Sequence, residues 1–178
     1  MDSDYEKINK FNSKKSNLDV GIALFGGAGA SVAELSRFAH KYYPEITDTL
    51  SNLVETYILY GKGAFQAVLY GSLINMVLSE RKSRKGFETR NKEESIKKDH
   101  SIVASGATMI TGLAWEAYSL FVGNFQGIKS THYDWQDVGF YAVGVGFLIG
   151  VAKLAENTFI KPPTLNKSEN SHLKFSAP

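Results

Sequence analysis

Charge in this chain is gathered into three places, the first 19 residues, residues 80–100 and the stretch after 160, and is sparse elsewhere. Between these regions run long segments rich in Gly, Ala, aromatics and branched aliphatics. This segregation constrains the fold more than the average does, because a mean hydropathy of −0.18 is that of an ordinary soluble protein. A helix needs ~20 predominantly apolar residues to cross a bilayer. Four spans approach that length: 20–36 (VGIALFGGAGASVAELS), 54–79 (VETYILYGKGAFQAVLYGSLINMVLS), 101–123 (SIVASGATMITGLAWEAYSLFVG) and 137–155 (DVGFYAVGVGFLIGVAKLA). The first is short and the second carries Lys62. The expectation is an all-α polytopic membrane bundle of about four transmembrane helices.

Small residues recur four apart within the spans, at Ala23/Gly27, Ala67/Gly71 and Gly146/Gly150. Membrane helices use such faces for close backbone packing. In water, each interior Gly lowers helix stability by about 1 kcal/mol relative to Ala. Gly27, Gly71, Gly146 and Gly150 are therefore the expected helix-packing positions. The competing reading is a soluble, Gly-rich buried helix or strand.

Basic residues supply a separate test, because cytoplasmic loops are enriched in Lys and Arg. With four crossings, the N-terminal stretch, the 80–100 loop and the tail share one side, with four, eight and three Lys or Arg. The other side holds Arg37, Lys41 and Lys129. This asymmetry predicts cytoplasmic N and C termini, and a bacterial inner membrane is the expected location. The domain plan is then a flexible basic arm (1–19), a transmembrane domain (20–160) with a basic cytoplasmic loop at 80–100, and a disordered tail (161–178) begun by the helix-stopping Pro162-Pro163 pair. The 80–100 loop could hold anionic lipid headgroups or serve as the topology signal alone. A rival reading makes the first span a cleaved signal peptide ending at Ser31-Val32-Ala33, which leaves three spans.

The 178 residues suffice for one domain. Absence of cysteine excludes disulfides, thiolate metal sites and thiol catalysis. A net charge of +2, with no uniform basic surface, argues against nucleic acid as a partner. No P-loop, GxSxG or HExxH motif occurs, so no cofactor or metal is implied.

Chemistry in such a chain is sought at charges within the spans, since they are expensive there unless paired or facing a wet cavity. From the 1.5 Å rise per residue, Lys62 lies roughly 12 Å, and Glu116 about 10 Å, below the outer ends of their helices. Glu34 lies near the outer end of the first span, and Asp134 and Asp137 near the start of the fourth. Lys62 is the only cation at that depth. A Glu116–Lys62 pair is the first expectation, with Glu34 as the competing partner, lining a polar outward-facing pocket. A structural ion pair is the plainer alternative. His132, Asp134 and Asp137 fall together in HYDWQD, which could bind a divalent cation weakly or form an ordinary solvated loop. Trp115, Tyr118, Tyr133 and Trp135 suit headgroup level.

The segments KDHSIVASGATMITGLAWEAYSLF and YDWQDVGFYAVGVGFLIG, within residues 98–150, resemble the VanZ-like and YfiM-like group of small bacterial membrane proteins. The matching positions are Asp99-His100, Glu116, and Asp134-Trp135-x-Asp137. Asp99 and His100 are adjacent here instead of spaced, and the Asn common in the last VanZ-like motif is missing. The resemblance implies an envelope protein, linked in some members to glycopeptide tolerance, and adds His100 to the candidates. It supplies no catalytic mechanism.

The expected function is binding or scaffolding of an envelope component or a partner membrane protein, with the bilayer and possible homo-oligomers or a larger membrane complex as partners. The alternatives are an oligomeric channel, transporter or holin-like pore, and a soluble helical interaction protein. A membrane enzyme using Glu116 and Asp137 is the weakest reading, because no nucleophile or metal motif accompanies them.

Overall fold

The computed structural model describes residues 3–43, 52–125 and 135–165. These are helical, with no strand among the described residues. The elements are α1 (Ser3–Tyr42), α2 (Asn52–Glu88), the single turn α3 (Lys92–Ser95), α4 (Ser101–Phe125) and α5 (Trp135–Thr158). Two stretches are long and apolar enough to cross a membrane, Ser3–Ser36 within α1 and Val138–Thr158 within α5. α2 and α4 fall short of that measure, with Lys62 in one and Glu116 among hydroxyls and aromatics in the other diluting their hydropathy.

α1 and α2 form a long antiparallel hairpin. Tyr5 meets Phe87, Asn12 meets Ser83, Asp19 meets Asn75, Gly26 meets Leu69 and Glu34 meets Lys62, each step up α1 matched by a step down α2. The 40 residues of α1 rise about 60 Å, twice the hydrocarbon thickness of a bilayer.

This corrects the expected organisation: residues 3–19 are no separate arm but the first half of α1. Asp4, Ile8, Asn12, Lys15, Asp19, Ile22 and Gly26 are buried at spacings of three and four, one continuous face of one helix. Hydropathy divides this face because its lower half is polar. The surroundings are polar at the same level, so the two halves belong to one packed stripe.

The α2–α3 corner shows how tightly that lower half is built. Asn91 N–H donates to Gly86 C=O (2.9 Å) and Arg90 N–H to Phe87 C=O (3.2 Å), with Arg90 at φ 55°. This is a Schellman cap, with Arg90 in the position glycine usually takes. The Asn91 side chain then caps α3, accepting from the N–H groups of Glu93 (3.1 Å) and Glu94 (3.2 Å).

The apolar core is small: Ile22, Val68 and Leu148, with Leu18 and Val151 against it. Large side chains instead cover the outside, among them Leu24, Leu35, Val77, Ile110, Phe121, Val143 and Leu154. Among the expected packing glycines, Gly71 lies against the Leu148 side chain, which an added Cβ would meet. Gly27 has only ordinary room against Leu69, and Gly146 and Gly150 face open space. The close approaches lie elsewhere. A Cβ on Gly26 would stand 2.6 Å from Leu69 N, and Gly144 lies against the Ala64 backbone. The four-residue spacing identified the motif but not the face that turns inward.

Candidate functional site

Two polar places are built into this bundle. One, at the Lys62 end, is a groove of about 560 Å³ where α2, α4 and α5 meet. α2 contributes Lys62, Gln66 and Tyr70, α4 contributes Thr108, Thr111 and Trp115, and α5 contributes Tyr141. The Tyr141 ring packs beside Gly112 of α4, at ordinary contact distance (3.5 Å) from where a Cβ would stand. The Thr108 and Thr111 hydroxyls donate to Ala104 and Ala107 C=O, both at 2.9 Å, which leaves oxygen lone pairs able to accept. The groove thus combines a cation, an amide, two hydroxyls and three aromatic rings. That suits an elongated ligand with a polar end.

Lys62 pairs with Glu34 at 2.5 Å, so the charged residue of the groove ties α2 to α1. This is the pairing anticipated as the competitor to Glu116. Glu116 follows Trp115 on α4 and is half-buried. His132 and Asp134 lie outside the described residues, and Asp137 sits in the first turn of α5 with its side chain outside the description, so the HYDWQD cluster has no geometry to report. Among the described residues, no three His, Asp or Glu gather as a metal site.

The inner place is a layer of buried polar groups, most of them not singled out by sequence. Asn75 clasps three helices: its amide donates to Asp19 Oδ1 (3.3 Å) and its carbonyl accepts from His100 N–H (2.8 Å). Asn12 repeats the pattern nearer the N terminus, donating to Ser95 C=O (2.8 Å) and Ser83 Oγ (3.2 Å) and accepting from Lys97 N–H (2.8 Å). Lys15, 2% exposed, reaches Glu156 at 3.5 Å. Lys153 bridges Asp99 (3.3 Å) and Glu156 (3.6 Å), so the charges at the end of α5 are a clasp instead of simple snorkelling.

Asp99 and His100 start α4. Ser101 donates to Asp99 through N–H (3.1 Å) and Oγ (2.7 Å). Burial pushes the Asp99 carboxyl up, but these hydrogen bonds with Lys15 and Lys153 outweigh it and leave it below its ordinary value. Burial, helped by the Lys82 charge, pushes the His100 imidazole down. His100 Nε2 and the hydroxyls of Ser79 and Ser105 are buried without a hydrogen-bond partner among the described residues. His100 sits at the level of Asn75, 13 residues along α2 from Lys62. A usable signal for this layer existed: Asp4, Asn12, Lys15 and Asp19 continue the three- and four-residue spacing of Ile22 and Gly26.

The chain matches no known protein family, no curated protein and no solved structure.

Proposed function

We propose that this is a small integral membrane protein whose α1, α2, α4 and α5 all cross the bilayer, with both termini cytoplasmic, and that it binds an envelope component or part of a membrane partner in the outward-facing groove around Lys62. The bilayer reading draws support from the inverted distribution of side chains. Only 28% and 22% of the two apolar windows are buried, whereas a soluble core helix hides most of its surface. α2 and α4, though less apolar, run alongside α1 and α5 and share their interior. Bilayer placement near residues 20, 79, 101 and 156 keeps the basic N-terminal half of α1 and the 80–100 segment on one side.

The single observation that carries the binding reading is the groove: a cation, an amide and hydroxyls beside three aromatic rings. A photoreactive residue at Gln66 tests it. In intact cells it should yield an adduct with a defined envelope component or a defined membrane protein, and Lys62→Gln should weaken that adduct. An adduct spectrum at Gln66 equal to one at lipid-facing Ile102, and insensitive to Lys62→Gln, would refute the site. Topology is tested separately with single cysteines at Ser13, Asn91, Ser130 and Ser168, of which only position 130 should react with an impermeant maleimide.

A second reading rests on α5. Gly139, Gly146 and Gly150 meet nothing within 4 Å of an added Cβ, and Val143 beside them is exposed. A neighbouring copy on that face would make the protein an oligomeric scaffold or pore. Chemical cross-linking in membranes, compared between the parent and Gly146→Leu, decides it.

A further inference from the structure

A second cavity, of about 520 Å³, opens between α1 and α2 at the level of the inner polar layer. Its position is set by the pairings around it. Asp19 meets Asn75 there, Lys97 reaches Glu80 and Ser16, and Asp99 meets Lys153. In the membrane reading this is the inner headgroup level, where the apolar outside of α2 ends at Val77 and the basic segment begins at Arg81.

The lining has an order to it. Met76 and the exposed Val77 form the apolar side, Arg81 and Arg84 stand on the rim, and Asp19 and Ser79 form the floor. Glu80 and Lys97 lie between and pair with each other. Asp19 is a carboxylate 4% exposed, and the Ser79 hydroxyl is buried with no partner among the described residues. Ser79 Oγ at the cavity floor thus retains unused hydrogen-bonding capacity.

We infer that this cavity is a site for a phospholipid of the inner leaflet whose headgroup is a phosphodiester bearing a primary ammonium, as in phosphatidylethanolamine. The argument is one of sign and of donors. Glu80 is paired with Lys97 and Arg84 with Glu88 (3.4 Å), so a purely anionic headgroup would meet the buried Asp19 carboxylate, and a purely cationic one would meet Arg81 and the Arg84 rim. A zwitterion sets its phosphate against the two guanidiniums on the rim and its ammonium against the Asp19 carboxylate and Ser79 Oγ on the floor. Arginine holds phosphate well because its planar fork presents paired donors. A primary ammonium has three N–H donors for the floor acceptors, and a choline headgroup has none. The acyl chains then leave along Met76 and Val77 into the bilayer. This inference rests on the membrane reading and is independent of the outer groove.

The test is native mass spectrometry on the purified full chain, exchanged from membranes against equal amounts of phosphatidylethanolamine, phosphatidylcholine and phosphatidylglycerol with identical acyl chains. Phosphatidylethanolamine should be retained over both others. Asp19→Asn should lower its retention about tenfold or more while leaving phosphatidylglycerol unreduced, since it removes the charged acceptor. Joint Arg81→Gln and Arg84→Gln substitution should lower retention of all three. Ser79→Ala removes only an unpartnered hydroxyl, and it carries the same comparison if Asp19→Asn does not fold by circular dichroism. Lys62→Gln should leave the preference intact, so a failed outer groove would not touch this result. Water-soluble glycerophosphoethanolamine should not displace the lipid at equal concentration. Equal retention of the three lipids, preference for phosphatidylglycerol, indifference to the arginine substitutions, or displacement by the soluble headgroup each overturns the inference. Recovery of the chain in the soluble fraction of cells would overturn the membrane reading itself, a result visible before any lipid is added.

Discussion

Lys15 offers a direct test of whether the inner polar layer holds the bundle together. The side chain is 2% exposed, its ammonium lies 3.5 Å from Glu156, and its charge acts on Asp19 and Asp99 as well. Lys15→Met keeps most of the volume and removes the charge. Glu156 is about one-third exposed and keeps Lys153 at 3.6 Å, and Asp99 keeps Lys153 at 3.3 Å, so neither is stranded. Asp19 loses most: it is 4% exposed and keeps the Asn75 amide as its hydrogen bond. Breaking a buried charge pair by removing one partner costs about 3–5 kcal/mol. The retained neighbours and the added apolar contact of Met place the expected loss near the lower figure, about 3 kcal/mol. Adding Asp19→Asn, which removes the stranded charge and keeps the shape, should recover roughly 1–2 kcal/mol, within the usual range of coupling between contacting residues. The assay is denaturant unfolding of the four proteins of this cycle in mild detergent, followed by far-ultraviolet circular dichroism. If Lys15→Met stays within about 1 kcal/mol of the parent, or Asp19→Asn adds its own loss with no coupling, the layer is not the clasp described here.

Four further outcomes follow from local geometry. Gly26→Ala would press a methyl 2.6 Å from Leu69 N, a backbone atom, and should destabilise by about 1–3 kcal/mol; Gly146→Ala, facing open space, should stabilise by about 0.5–1 kcal/mol in thermal unfolding. Arg90 holds the left-handed conformation that caps α2, so Arg90→Gly should stabilise by about 1 kcal/mol, measured as a higher unfolding midpoint. Burial and the Lys82 charge lower the His100 value, so the folded state resists protonation that the unfolded chain accepts at about 6.5. The His100 contribution is therefore fully present above that pH and is lost as pH falls toward the folded value. Unfolding free energies of the parent and His100→Phe should have equal slopes above pH 7 and diverge below, with the parent losing more; parallel curves down to pH 5 would contradict this.

Helix content and the approximate limits of the apolar spans could be read from charge segregation, since a long charge-poor run with small residues has few other outcomes. The extent of α1 could not, because hydropathy treats Asp4, Asn12, Lys15 and Asp19 as solvent-facing. What decides their fate is the chemistry of residues more than 50 positions away, Asn75, Ser83 and Lys97, which no local window includes. The Lys62–Glu34 pair was within reach as one of two alternatives by depth. Choosing between Glu34 and Glu116 requires knowing how each helix is rotated about its axis, and helix depth does not carry that information. The same missing rotation explains the glycines: Gly26 and Gly27 are adjacent in GGAG, yet only Gly26 stands against the α2 backbone.

The grading of the interior along the bundle axis gives a reason for the length of α1 and α2. At the middle, Ile22, Val68 and Leu148 close the bundle with apolar contact. That cluster is too small to hold helices of 40 and 37 residues in one register, and in the proposed bilayer setting it would gain little from the hydrophobic effect. Asn12 and Asn75 supply register by a different principle. Each ties its own helix to two other chain segments, so sliding α1 by one turn would leave several buried donors and acceptors unpaired together. Unpaired polar groups of that kind each cost about 1–3 kcal/mol. The polar lower half thus fixes the alignment of the hairpin, and the alignment in turn brings Glu34 to Lys62 at the far end. Removing Asn12 should therefore loosen the Lys62–Glu34 pair some 22 residues, or about 33 Å of helix, away, and a distance label between those two positions would register it.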